Sequence, residues 1–231
     1  PSNAIDLCMT MMEREPDPNQ ESKKEDSFVL NGPVVEVAMR CLGEQNRIED
    51  AEKLFQWAMR QNNSVLNTSV FCSLFEMYKR DNRRSEALDL VKQCIQAENG
   101  SCDSAGVNLL LVRAIDWPRR SRDGKMRETV SIYRSMLKVI LASCEDGFEP
   151  TFKVWQRLII ASSQVARTEA TWDIVRKSCL GMLKHLPSSF PDSRLLKIGL
   201  DAAEKTEDVD LAAEFLSRAW NKQQHMDEQR L

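Results

Sequence analysis

A single amphipathic helix that keeps returning limits this chain to few folds. In Arg47–Met59, residues Ile48, Ala51, Leu54, Phe55 and Ala58 recur three to four positions apart and form one apolar stripe. Glu49, Glu52, Lys53 and Gln56 cover the opposite side. The same order, a small residue and then a bulky apolar run, comes back at Arg84–Val91, Glu128–Tyr133, Ala170–Val175 and Val209–Leu216, and Ala4–Cys8 opens the chain with it. The small position falls at Ala4, Ala51, Ala87, Thr129, Thr171 and Ala212, at intervals of 47, 36, 42, 42 and 41 residues. Each interval holds two helices and a short turn. One such pair cannot bury both helix faces, but stacked pairs can. The spacing predicts an all-α, right-handed α-solenoid of about five helix-turn-helix repeats.

Composition agrees. Only 8 Gly and 8 Pro in 231 residues, with 42% hydrophobic and 29% charged residues, suit a helical protein with a substantial core. The net charge of −3 gives no global attraction for nucleic acid, so any such contact must rest on a local patch. Seven cysteines are scattered without a CxxC pair, and only His185 and His225 are there to join them, so they read as reduced core residues rather than a metal site. No apolar run reaches the length of a membrane span.

Residues 1–14 read as the second helix of a truncated repeat, and 15–27, with Pro16, Pro18 and many charges, as a polar linker. The array then covers 28–231, in pairs at about 28–62, 65–98, 103–144, 150–185 and 190–224. Asn31 can cap its first helix and Pro33 suits the first turn. Helix 103–115 is nearly apolar and is expected to be the most enclosed. A basic loop, Trp117–Lys125, is expected to interrupt it. A polar tail over 221–231 is expected to fray.

The second pair carries a family resemblance. Thr68–Leu90 has aromatics early in its first helix, the polar turn Asp81-Asn82-Arg83 and then Glu86-Ala87-Leu88-Asp89-Leu90. It resembles the pentatricopeptide repeat (PPR) in a degenerate form. Gly147–Ile159, with Pro150 at the junction and Trp155 at the aromatic place, and Met11–Asp17 resemble other parts of that repeat. The usual period of the family is thirty-five residues, and only the second pair comes close. Tetratricopeptide-like arrays share the amphipathic pattern and stand as the alternative.

The resemblance implies binding of single-stranded RNA along the first helices, one base per repeat. On that pattern Ser73 takes the fifth motif position and Asp103 the last, a combination the family associates with guanine, while Asn108 takes the fifth position of the next pair. Helix capping and solvated surface are equally open to these three residues. Val37, Arg157 and Ile198 occupy the equivalent place elsewhere, so a long base code is not expected. A second candidate is the cluster Arg113, Arg119, Arg120, Arg122, Lys125 and Arg127 around Trp117, which can hold phosphates and stack a base. Lys153, Arg157, Arg176, Lys177 and Lys184 form a weaker group. Trp57, Trp155, Trp172 and Trp220 are expected to pack between helices.

No phosphate-binding glycine loop, HExxH or GxSxG is present, and the chain is expected not to be an enzyme and to need no cofactor or metal. The resemblance further implies an organelle, the mitochondrion first, with a plastid or the cytoplasm as alternatives. The implied role is in RNA processing, stability or translation, as a subunit of a larger assembly such as a mitochondrial ribosome, on single-stranded or ribosomal RNA and protein neighbours. The rival is a tetratricopeptide-like protein-interaction scaffold without RNA contact.

Overall fold

The structure is a computed structural model that describes residues 5–6, 9–10, 31–61, 66–97, 102–120, 126–189 and 191–228. The expected linker at 15–27 and most of the first fourteen residues lie outside these. Among the described residues all regular structure is helical. Ten helices follow one another: α1 (Gly32–Glu44), α2 (Ile48–Arg60), α3 (Thr68–Arg80), α4 (Arg84–Gln96), α5 (Ser104–Arg120), α6 (Met126–Glu145), α7 (Phe152–Val165), α8 (Glu169–His185), α9 (Ser193–Lys205) and α10 (Val209–Glu228). They group into two compact units, residues 1–110 and 111–231. None is long and apolar enough to cross a membrane.

In the first unit α1 packs on α2 and on α3, and α3 packs on α2 and α4, the neighbour-to-neighbour pattern of a helical repeat. The stripe read in the sequence is the core: Ala51, Leu54, Phe55 and Ala58 of α2 are buried, as are Val70, Phe71, Leu74 and Phe75 of α3. Phe55 meets Phe71 edge to face, with ring centroids 5.1 Å apart. Two turns have one design. Asn46 and Asn82 take the left-handed conformation (φ 56° each), which Asn tolerates better than most residues. The next N–H then reaches back across the turn, Arg47 to the Leu42 carbonyl (3.0 Å) and Arg83 to that of Tyr78 (2.8 Å).

The second unit repeats the plan, with α6 against α7 and α8, α7 against α8 and α9, and α9 against α8 and α10. Glu207 supplies the left-handed turn residue there (φ 54°), with Asp208 N–H on the Ala203 carbonyl. Two glycines set the closeness of packing. A Cβ on Gly181 would lie 2.5 Å from the Trp155 ring, and one on Gly199 would lie 2.6 Å from that of Phe215. Trp155 and Phe215 are fully buried, so neither ring can swing out to solvent.

Several expectations change. Helix α5 does not end at 115 but runs through Trp117 and Pro118 to Arg120. Pro118 sits in the last turn, where it forfeits one backbone bond near an end that was about to terminate anyway. Nor is α5 uniformly enclosed, since Leu109 is 47% exposed. The small position is buried at Ala51 and Ala87, but Thr171 instead closes the turn before α8, its hydroxyl accepting the N–H groups of Arg167 and Thr168. In α10 the neighbour Leu211 is buried in place of Ala212. That last helix continues to Glu228, and Trp220 is 66% exposed rather than packed.

Charged latches join successive second helices. Arg47 bonds Asp50 of its own helix and Asp6 before it. Arg83 bonds Glu86 and reaches back to Glu52 on α2 (2.8 Å) while covering the Tyr78 ring. Arg176 of α8 bonds Asp173 and the α10 cap Asp208 (3.0 Å). The Leu211 N–H and then the Arg176 guanidinium hold the Asp208 carboxyl below its ordinary range. Its stabilising effect is therefore present above the usual carboxylate pKa and is lost as pH falls through the lower folded value.

Two outcomes follow from this packing. Gly181→Ala and Gly199→Ala should each lower thermal stability, by about 1–3 kcal/mol, although Ala is the better helix former. Asp208→Asn keeps a capping side chain but removes the ion pair. By chemical denaturation it should cost about 0.5 kcal/mol at neutral pH, and the difference should shrink as pH falls through the lowered range in which the native carboxyl takes up its proton.

Candidate nucleic-acid interface

The first helix of each pair starts from a cap, and the caps give the register of any shared surface. Asn31, Asn67 and Asp192 accept the N–H groups of Val34, Val70 and Leu195, and Asp103 accepts that of Gly106 (2.6 Å). Thr151 holds the corresponding place before α7. The caps at Asn31, Asn67 and Asp103 stand 36 residues apart, so two successive pairs share one period. Three caps also reach the first helix before them. Asn67 donates to Glu36 (3.3 Å), Asp103 accepts from the Thr68 hydroxyl (3.5 Å), and Asp192 accepts from Gln156 (3.1 Å).

Counted from the caps, the sixth residue is Val37, Ser73, Leu109, Arg157 and Ile198. Leu109, and not Asn108, is thus the counterpart of Ser73. Asn108 is 5% exposed, and its amide donates to the Ser104 carbonyl one turn earlier (2.8 Å). Ser73 is half-buried and Asp103 is exposed, with the same oxygen that caps α5. In the first unit this position is therefore mostly apolar, with Val37 48% and Leu109 47% exposed.

In the second unit the same face is basic. Lys153 and Arg194 both stand two residues after their caps, and Lys197 lies one turn beyond Arg194; all three are exposed. None pairs with a carboxylate among the described residues. Arg157 completes the group, 3.9 Å from Asp116 of α5. Asp116 is one turn past Arg113, an exposed residue, so this cation borders the same region. The Gln156–Asp192 bond fixes the first turns of α7 and α9 side by side.

The other residues singled out in the sequence are divided. Trp117 is half-buried in the last turn of α5, and Arg127 is exposed at the start of α6. Arg122 and Lys125, and the side chains of Arg119 and Arg120, lie outside the described residues. The weaker basic group splits. Lys153 and Arg157 are on a first helix, whereas Arg176 and Lys177 are on a second helix and both bond Asp173. Among the described residues no cluster of His, Cys, Asp and Glu has the geometry of a metal site.

Compared with models of protein families, the chain matches none, and it matches none of the curated proteins.

Asp103 can be tested as a cap independently of any ligand. Asp103→Ala should lower stability by about 1 kcal/mol in equilibrium unfolding, and Asp103→Asn should retain most of it, because Asn also caps.

Proposed function

We propose that this chain is a helical-repeat adaptor that holds RNA, free or within a ribonucleoprotein, against the first helices of its second unit. The observation that carries this reading is the exposed set Lys153, Arg194 and Lys197, with the half-buried Arg157 beside them, on the adjacent helices α7 and α9. Four cations within the first two turns of neighbouring helices suit the regular spacing of phosphates. Only Arg157 and Arg194 carry a fork able to read a base edge, and the lysines meet phosphates as point charges, so recognition is of backbone and shape more than of sequence. This fits the degenerate resemblance to PPR arrays. That resemblance alone supports an organellar setting, with the mitochondrion first, and a role in RNA processing or translation such as that of a ribosome-associated subunit.

A protein neighbour of the first unit would meet the exposed Val37 and Leu109. A subunit of a mixed assembly would use both surfaces. A tetratricopeptide-like scaffold would use only the apolar one.

The two readings separate in a titration of fluorescent single-stranded RNA at several salt concentrations. The RNA reading predicts that log K falls with log salt at a slope of about −2 to −3, as expected for three or four phosphates on a single strand. Changing Lys153, Arg194 and Lys197 to Glu should abolish most of the binding, while Lys92→Glu on α4 should leave it intact. Equal binding by native protein and triple variant would overturn the reading, as would no binding at low salt.

A further inference from the structure

Among the described cysteines, two meet. Cys94 in the last turns of α4 and Cys102 just before the α5 cap have sulfurs 3.9 Å apart, both buried (0% and 4% exposed). They are eight residues apart in the chain and face each other across the connection between the second and third pairs. Cys102 is outside any helix. Its N–H is anchored on the Ala97 carbonyl at the end of α4 (3.1 Å). A disulfide needs the sulfurs at about 2.05 Å, so they must close by about 1.9 Å. A non-helical residue can supply that movement while α4 stays in place.

We propose that Cys94 and Cys102 form a peroxide-oxidisable dithiol that, once oxidised, clasps the end of α4 to the start of α5. Cys102, the slightly more exposed of the two residues (4% against 0%), is assigned the reaction with a small hydroperoxide. Its thiolate attacks the peroxide, the O–O bond breaks, and a sulfenic acid forms as hydroxide leaves. The Cys94 sulfur then attacks the Cys102 sulfur, the S–O bond breaks, and the departing hydroxide takes the Cys94 proton as water. The sum is two thiols and one peroxide giving one disulfide and two waters.

Geometry also says what the clasp does. Residue 103, next to Cys102, caps α5 through Gly106 and accepts the Thr68 hydroxyl of α3. In the oxidised protein the cap is tied covalently to α4. The hydrogen bond with the Cys102 sulfur, and then burial, push the Cys94 thiol well above its ordinary range, so it remains a thiol until the sulfenic acid is in place.

The experiment treats the whole native chain with limiting hydrogen peroxide, alkylates the remaining thiols under denaturing conditions and maps peptides by mass spectrometry. The expected result is a Cys94–Cys102 linked peptide, a mass loss of about 2 Da, and equal loss of these two thiols ahead of Cys41, Cys72 and Cys144. Hydrogen exchange at Gly106 should slow on oxidation. In Cys94→Ser the sulfenic acid on Cys102 has no partner thiol and should be trapped by dimedone. Earlier oxidation of the half-buried cysteines, or pairing of Cys72 with either sulfur, would overturn the proposal. The native-chain map decides even if the serine variant does not fold.

Discussion

A helix with one apolar stripe is unstable alone, and everything in this protein follows from the way each pair is covered by its neighbour. The stripe of α2 is satisfied only because Phe55 meets Phe71 on the next pair, and Trp155 only because Gly181 lets α8 come close. Burial supplies the energy of this contact but not its register. The register comes from polar bonds at the helix starts, where Asn67, Asp103 and Asp192 each cap one first helix and bond the one before it. On the other side, Arg83 and Arg176 span successive second helices. Each such bond is worth little at a surface, but together they exclude the slipped arrangements that an apolar stripe alone would permit.

That division of labour sets where function can lie. The second helices spend their charges on one another, so Arg176 and Lys177 are already engaged by Asp173. The first helices use their caps and a few pairs such as Lys79–Glu76 and Arg157–Asp116, and leave a further face to solvent. Its chemistry differs between the units, with Val37 and Leu109 in one and Lys153, Arg194 and Lys197 in the other. An acidic chain can thus present cations locally without a net positive charge.

The pairs were legible in the sequence because helical periodicity and turn residues agree, as at Asn46 and Asn82. Glu207 was not legible as a left-handed residue, since glutamate carries no such preference and only the surrounding packing holds it there. Nor was the end of α5, because Pro118 reads as a breaker and its place in the final turn is invisible without the fold. The site was half legible. Lys153 and Arg157 stand out locally, but Arg194 and Lys197 join them only once the caps Thr151 and Asp192 are aligned. Stepping on from Ser73 by the thirty-five residues usual in the family lands on the buried Asn108, whereas the caps here stand 36 apart and place Leu109 there.

The central claim is that the first helices of the second unit form the RNA-facing surface. It is tested most directly by photocrosslinking a 4-thiouridine-containing RNA to the native protein and mapping the modified peptides. The account predicts crosslinks in the first turns of α7 and α9. Crosslinks confined to the second helices α2, α4 and α8, or none at low salt, would contradict it.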